Sequence, residues 1–146
     1  MSSEDAFTQQ FKISGGDFGK AGVVSTKVKE ILQEIGIDPS IIRRAAIAIY
    51  EAEMNIVMYA ESATLTLHIT PDIAQFKFED KGQGIENIEM AMQEGFSTAT
   101  DEMREMGFGA GMGLPNIKRN ADKLNIISHP GVGTSLDIIF CLNQKK

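Results

Sequence analysis

The sequence predicts an α/β (α+β) two-layer sandwich, in which a largely antiparallel mixed sheet carries helices on one face. Two segments near the N-terminus have apolar residues at helical spacing, and two later segments, at 64–70 and 74–80, alternate apolar and polar residues as half-buried strands do. The predicted order is βααββ, a loop, then αββ, which favours helices packed against one sheet. The 146 residues are the usual size of one compact domain, so residues 1–146 are predicted to form a single domain.

The first two elements are a short strand at 11–15, "FKISG", and an amphipathic helix at 19–36. Gly36 suits the position just after a helix end, where a left-handed backbone is common. Apolar residues recur along this helix at helical spacing: Val23, Val28, Ile31, Leu32 and Ile35.

The second helix begins at Asp38, a good N-cap, with Pro39 at the first helical position. It is predicted to run to about Ala60. Its buried face is expected to carry Ile41, Ala45, Ile49, Ala52, Ile56 and Tyr59.

The remaining elements are shorter. Strands are predicted at 64–70 and 74–80, joined by a hairpin turn, and a short helix near 86–94. A helix begins at Pro115, and two final strands, "NIISHP" and "GTSLDIIFCL", are joined by a turn that contains Gly131 and Gly133.

Composition excludes several classes of protein. The net charge of −6 argues against a nucleic-acid partner, which requires a basic surface. The N-terminus lacks the apolar core of a signal peptide, and the densest apolar run, "AAIAIY", is too short to span a bilayer. Cys141 is the one cysteine and has no metal-ligand spacing to the histidines, so neither a disulfide nor structural zinc is expected. A cytoplasmic location is the resulting expectation.

Three stretches carry polar residues or glycines that the fold alone does not need. In "YEAEMN", Glu51 and Asn55 are four residues apart and therefore share one helix face. A carboxylate can accept a proton, and an amide oxygen suits Mg²⁺. The alternative is a solvated polar stripe, and Glu53 is expected to point elsewhere, at the surface.

The second stretch is "EDKGQGI". Asp80 ends a strand, where it can accept a hydrogen bond from an exocyclic amine. Gly82 and Gly84 allow a tight reversal and let a flat ring approach the backbone. The alternative is an ordinary acidic turn after an edge strand.

The third stretch is "GFGAGMGLPNIKR". Gly107, Gly109, Gly111 and Gly113 precede a helix start, where free N–H groups and the helix dipole favour phosphate. A generic flexible loop is the alternative.

Taken together, the three stretches resemble the GHKL (Bergerat-fold) ATPases. "EAEMN" is similar to the family's N box, "DKGQGI" to its DxGxG box and "GAGMGL" to its GxGxGL box, while "GVGTSLDIIF" is similar to its terminal hairpin. The resemblance covers roughly residues 40–142. The small size and the stretch "EGFSTA" are most similar to the anti-sigma and switch-type serine kinase branch.

The resemblance implies a role for each matching residue. Glu51 would be the general base, and Asn55 would coordinate Mg²⁺ that bridges the phosphates of ATP or ADP. Asp80, helped by Thr134 and a water, would receive the adenine amine in a pocket shaped by Gly82 and Gly84. An ATP lid would span about 86–108. Phosphate contacts are implied for Ser97, Thr98, Gly107, Gly109, Gly111, Gly113 and Leu114.

Two functions remain open on the sequence. The first is a serine/threonine kinase that phosphorylates a STAS-type anti-anti-sigma protein. The second is a nucleotide-gated protein that binds a sigma factor or another regulator with little catalysis. Tyr59, where many family members have His or Lys, and the Met-rich region from Met90 to Met112 favour the second. A homodimer is implied by resemblance only.

Overall fold

The computed structural model describes residues 6–82, 84–85, 88–93 and 113–142. A short 3₁₀ helix, Phe18–Lys20, follows the first strand. The strands are β1 (Phe7–Ser14), β2 (Ala60–Ile69), β3 (Ile73–Gly82), β4 (Lys123–His129) and β5 (Gly133–Cys141). The helices are α1 (Val23–Ile35), α2 (Pro39–Tyr59), α3 (Ile88–Ala91) and α4 (Gly113–Asn120).

The five strands form one sheet in the order β1-β2-β3-β5-β4. All four strand pairs in the described part of the chain are antiparallel, so the expectation of a mixed sheet is wrong on that point. Strand β1 is also longer than predicted. Phe7 to Gln10 are exposed and do not alternate with buried residues, yet they pair with β2 up to Ile69.

The core lies between one face of the sheet and the helices, as the sequence predicts. Helix α2 packs across β1, β2, β3 and β5, and α1 and α4 pack against α2. Alternate residues of the central strands are buried beneath these helices: Leu65, Leu67 and Ile69; Ala74, Phe76 and Phe78; Leu136, Ile138 and Phe140. The sheet therefore has one apolar face and one polar face, as antiparallel sheets with a single covered face do.

Helix α1 begins later than predicted. Gly22 has a left-handed backbone (φ 92°), which an L-residue rarely adopts, and the regular helix starts at Val23. Val24, Val28 and Leu32 are buried, whereas Val23 and Ile35, at the two ends of the helix, are exposed. Gly36 ends the helix in a left-handed conformation, as predicted.

Helix α2 begins as predicted. The Asp38 carboxylate accepts a hydrogen bond from the backbone N–H of Ser40 at 2.8 Å, and Pro39 is in the first turn. The predicted face is buried at Ala45, Ile49, Ala52 and Ile56, but Ile41 and Tyr59 are only half-buried. None of the helices in the described ranges is long and apolar enough to cross a membrane.

The expectation that Glu53 lies at the surface is wrong. Its side chain is 1% exposed, and its carboxylate accepts backbone hydrogen bonds from Gly22 (3.1 Å), Val24 (3.3 Å) and Ser25 (2.9 Å). These N–H groups belong to the start of α1, where the first turn has no intrahelical acceptors. Glu53 therefore caps a neighbouring helix, and burial of its charge is compensated by these donors.

The topology gathers five strand ends at one end of the sheet. The C-terminal ends of β1, β3 and β4 lie there beside the N-terminal ends of β2 and β5. The C-terminal end of α2 leads directly into β2 at the same place. The second and third predicted motifs are thereby brought towards the helix that carries the first.

Candidate functional site

Glu51 and Asn55 face the beginning of α4. The side-chain amide of Asn116 donates a hydrogen bond to the Glu51 carboxylate at 3.3 Å. A Cβ atom added to Gly113 would lie 3.1 Å from Asn55 Oδ1, so the α4 backbone approaches the Asn55 amide closely. The first and third motifs, almost 60 residues apart in sequence, are thus adjacent.

Asn116 was missed by the sequence prediction. It lies in the first turn of α4, three residues after Gly113, and its backbone carbonyl also accepts a hydrogen bond from Asn120 at 2.8 Å. Only the packing of α4 on α2 brings it to Glu51. A polar residue on the first turn after a glycine-rich stretch is the one signal that could have identified it.

Asp80 lies on the core-facing side of β3, two residues before the strand ends. Its carboxylate accepts a hydrogen bond from the backbone N–H of Thr134 at 2.9 Å. Partial burial raises the pKa of the Asp80 carboxyl above its usual value, and the Thr134 hydrogen bond opposes that rise. The carboxylate retains lone pairs that can accept a hydrogen bond from a ligand amine.

Thr134 supports Asp80 through its backbone. The Thr134 hydroxyl instead lies 2.8 Å from the hydroxyl of Ser128, on the paired strand β4. Ser128 also accepts a hydrogen bond from the backbone N–H of Ile85 at 2.7 Å. The sequence prediction missed Ser128, which in sequence is one of several polar residues in a half-buried strand.

Gly82 and Gly84 lie against neighbouring backbone. The Gly82 N–H donates to the carbonyl of Val132 at 3.2 Å, so this strand end is tied to the β4–β5 turn. Gly84 has a left-handed backbone (φ 75°), and an added Cβ would lie 2.5 Å from the carbonyl oxygen of His129. A side chain at position 84 would therefore strain the backbone and would also clash with the His129 carbonyl.

The other predicted ligands divide into two groups. Leu114 is buried in the core, so its backbone, rather than its side chain, is available to a ligand. Ser97, Thr98, Gly107, Gly109 and Gly111 lie outside the described residues, as does most of the predicted lid at 86–108.

The residues present fit a hard divalent cation held together with phosphates. Asn55 could supply an amide oxygen, a hard ligand of the kind that Mg²⁺ prefers. Gly113 leaves room beside the Asn55 amide that a Cβ would occupy. At least part of the coordination would come from the nucleotide, because Mg²⁺ is usually held by few protein ligands plus phosphates and water.

A cavity of about 790 Å³ lies at the same end of the sheet. Among the described residues, Gly16, Phe18, Tyr59, Lys81 and Gly82 are part of its lining. It adjoins the predicted site only at Gly82, and Asp80, Asn55 and Glu51 do not line it. Glu51, Asn55 and Asn116 meet between α2 and α4 instead, so we take that region, together with Asp80 at the end of β3, as the candidate site.

Comparison with known families agrees with this geometry. Residues 40–146 match the model of the histidine kinase-, DNA gyrase B- and HSP90-like ATPases. This range contains α2 from its second residue onwards, together with Glu51, Asn55, Asp80, Asn116 and Thr134. The chain belongs to this family of ATPases.

Two relatives refine the comparison. The chain is 30% identical over 115 residues to the serine/threonine-protein kinase RsbT of Bacillus subtilis (strain 168), covering 76% of this chain and 80% of the relative. It is 34% identical over 105 residues to an anti-sigma F factor of Caldanaerobacter subterraneus subsp. tengcongensis, covering 67% of this chain and 70% of the relative.

A solved structure has the same fold. The crystal structure of the RsbU and RsbW domains of Rv1364c from Mycobacterium tuberculosis matches 94% of this chain with a TM-score of 0.60 and 17% identity. The match spans only 33% of that longer chain. At this identity the likeness concerns the fold alone. The resemblance and the fold class predicted from the sequence are confirmed by these comparisons.

Proposed function

We propose that this chain is an ATP-dependent protein serine/threonine kinase that phosphorylates a STAS-type anti-anti-sigma protein in a bacterial partner-switching module. The observation that carries the proposal is the meeting of Glu51 and Asn55 with the start of α4, with Asp80 in the same fold at the end of β3. The relatives named as a serine/threonine kinase and as an anti-sigma factor support it.

Each residue has a distinct part in the proposed reaction. Asp80 receives the adenine amine, and the N–H groups at the start of α4 face the phosphates. Asn55 would hold Mg²⁺, which would neutralise phosphate charge. Glu51 would accept the proton of the substrate hydroxyl as the hydroxyl oxygen bonds to the γ-phosphorus and the bond from that phosphorus to the departing ADP breaks. Asn116 orients Glu51 through the 3.3 Å hydrogen bond.

We further propose that residues 1–146 act as one domain with an ATP lid at about 86–108. Ser97, Thr98, Gly107, Gly109 and Gly111 are proposed phosphate contacts in that lid or beside it. A cytoplasmic location follows from the proposed role, because sigma factors act on RNA polymerase there. A homodimer is proposed on the family resemblance alone.

Phosphate transfer to a STAS-type protein tests the kinase. Purified chain, labelled ATP and Mg²⁺ are mixed with such a protein, and labelled protein is separated on a gel. Glu51→Gln should lower the transfer rate by at least about 100-fold, the usual contribution of a general base. Glu34→Gln, on the exposed surface of α1, is the matched control and should keep the full rate.

Unchanged transfer by Glu51→Gln would refute the assignment of the base. If wild-type protein binds ATP but transfers no phosphate to any STAS-type protein offered, the kinase proposal fails and the binding role below replaces it.

The second candidate is a nucleotide-gated binding protein. The observation that favours it is Tyr59, which follows Asn55 by one turn and is half-buried where many family members have a basic residue. In that case Glu51→Gln would bind a sigma factor or regulator as wild type does, with an affinity that changes between ADP and ATP. Binding that is insensitive to nucleotide would contradict this role.

A further inference from the structure

Ser128 lies at a junction of three elements. It is on β4, paired with Thr134 of β5, and its side chain is on the core-facing side. Its hydroxyl contacts the backbone N–H of Ile85 (2.7 Å), the Thr134 hydroxyl (2.8 Å) and the Gly133 carbonyl (3.3 Å). The proposed reaction does not itself use the Ser128 hydroxyl.

These contacts belong to a seam between residues 80–85 and the β4–β5 hairpin. The seam has two other hydrogen bonds, from Thr134 N–H to Asp80 and from Gly82 N–H to Val132. Gly84 lies against the His129 backbone, between the Gly82–Val132 contact and the Ile85–Ser128 contact. Ser128 contributes the side chain that closes the far end of the seam, just before the chain continues towards α3.

The donors and acceptors limit how the hydroxyls can be arranged. Because the Ile85 N–H donates to Ser128, the single Ser128 proton is directed to Thr134 or to Gly133. The Ser128 hydroxyl lies 2.8 Å from the Thr134 hydroxyl and 3.3 Å from the Gly133 carbonyl, so the contact with Thr134 is the shorter one. When Ser128 donates to Thr134, the Thr134 proton is directed elsewhere and can be donated to a ligand or to a bound water.

We propose that Ser128 is a positioning residue for recognition of the nucleotide base. It holds the Ile85 backbone against the hairpin and orients the Thr134 hydroxyl as a donor beside the Asp80 acceptor. A donor next to an acceptor matches the edge of a purine that carries an exocyclic amine and an adjacent ring nitrogen. This inference rests on the proposed nucleotide site but concerns a residue outside its motifs.

The experiment compares Ser128→Ala with Ser128→Thr, which keeps the hydroxyl, and with Ser135→Ala on the opposite face of the same hairpin. The dissociation constants of ADP and of inosine diphosphate, in which a carbonyl replaces the amine, are measured by calorimetry. We expect Ser128→Ala to weaken ADP binding about fivefold, the effect of one hydrogen bond, and to lower the ADP-to-inosine diphosphate preference. Ser128→Thr should keep most of the ADP affinity and of the preference for ADP over inosine diphosphate. Ser135→Ala should change neither quantity.

Backbone amide hydrogen exchange in the absence of nucleotide gives an independent measurement. Ser128→Ala should speed exchange of the Ile85 amide about tenfold and leave the Thr134 amide unchanged. If Ser128→Ala unfolds, Ser128→Cys replaces it, because a thiol of similar size accepts hydrogen bonds weakly. Wild-type exchange at Ile85 together with wild-type affinities would overturn the proposal. If wild-type protein binds no adenine nucleotide, the proposed function fails, while the Ile85 exchange still tests the role of Ser128 in the seam.

Discussion

The two sides of α2 carry glutamates two residues apart with opposite environments. Glu53 is buried, and three backbone N–H groups of α1 donate to it. Glu51 is half-buried on the side of α4, and the described part of the chain gives it one hydrogen bond, from Asn116. A carboxylate whose lone pairs are occupied by backbone stabilises the fold, whereas one with unoccupied lone pairs can accept a proton from a substrate.

The packing on the two sides of α2 depends on different kinds of contact. The α1 side depends on one side chain that caps a helix. The α4 side depends on close backbone approach, since a Cβ at position 113 would lie 3.1 Å from Asn55 Oδ1 and would require the Asn55 side chain to shift. We therefore expect changes on the α1 side to alter stability and changes on the α4 side to alter ligand binding and catalysis.

The largest change in stability is expected for Glu53→Ala. It leaves backbone donors at the start of α1 without an acceptor in the interior, which should cost about 3 kcal/mol of unfolding free energy. For a domain of this size, the melting temperature should fall by roughly 10 °C. Thermal unfolding followed by circular dichroism measures it.

Glu51→Ala is the matched control on the same helix. It should change the unfolding free energy by less than about 1 kcal/mol, because the one hydrogen bond described for Glu51 is 3.3 Å long and only partly buried. Equal losses in the two variants would show that the two sides of α2 do not differ as described.

Asn55→Ala should remove stabilisation by nucleotide without unfolding the protein. Saturation with Mg·ATP at about 100 times the dissociation constant should add roughly 2.7 kcal/mol to the wild-type protein. In Asn55→Ala most of this gain should disappear, because the amide ligand to Mg²⁺ is gone. Melting curves with ATP, with and without Mg²⁺, measure the difference. A full Mg²⁺-dependent rise in melting temperature in the variant would show that Asn55 does not bind Mg²⁺.

Asn116→Ala should produce a smaller effect on catalysis. Loss of the hydrogen bond to Glu51 should lower kcat about three- to tenfold and leave KM for ATP unchanged, because Asn116 orients the base and is not assigned to nucleotide binding. Steady-state phosphotransfer kinetics distinguish the two parameters. Asn125→Ala, an exposed change on β4, should have wild-type kinetics; a rise in KM for Asn116→Ala would reassign that residue to nucleotide binding.

The smallest effect is expected for the pH dependence of Asp80, which is half-buried and accepts one backbone hydrogen bond. Burial raises the pKa of this carboxyl above the unfolded value of 3.8. The folded state therefore holds more protons than the unfolded state in the window between the two values, and this group lowers stability as pH rises from 3.8 through the folded pKa.

Asp80→Asn removes that dependence while still accepting the Thr134 hydrogen bond. Without ligand, the variant should gain stability relative to wild type as pH rises through this window and then keep a constant advantage. Urea unfolding from pH 4 to pH 7 measures the difference, with Asp137→Asn on the polar face as control. An advantage that grows as pH falls would contradict the assigned cause.

Much of the fold could be predicted from the sequence. Asp38 and Gly36 mark helix boundaries through local backbone chemistry, and the alternating strands identify their own buried faces. The errors have physical causes. Phe7 to Gln10 form a strand through pairing with β2 rather than through any pattern of their own, and Gly22 delays α1 by its left-handed backbone.

The site was predicted less completely. Glu51, Asn55 and Asp80 belong to local motifs, so their candidacy can be recognised in a linear sequence. Asn116 and Ser128 are ordinary polar residues until folding brings them to Glu51 and Ile85. The different environments of Glu51 and Glu53 could not be predicted either. Helix periodicity gives neither the position of α1 against α2 nor the N–H donors at the N-terminus of α1.

The sequence by itself determined the helices, the strands, the family and the motif residues, because those depend on local backbone preferences, apolar periodicity and short spacings. Only the tertiary structure decided which carboxylate is buried as a cap, which hydroxyl closes the seam and which amide reaches the proposed base. Those outcomes depend on contacts between residues distant in sequence, and a hydrogen bond forms only where packing brings donor and acceptor to about 3 Å.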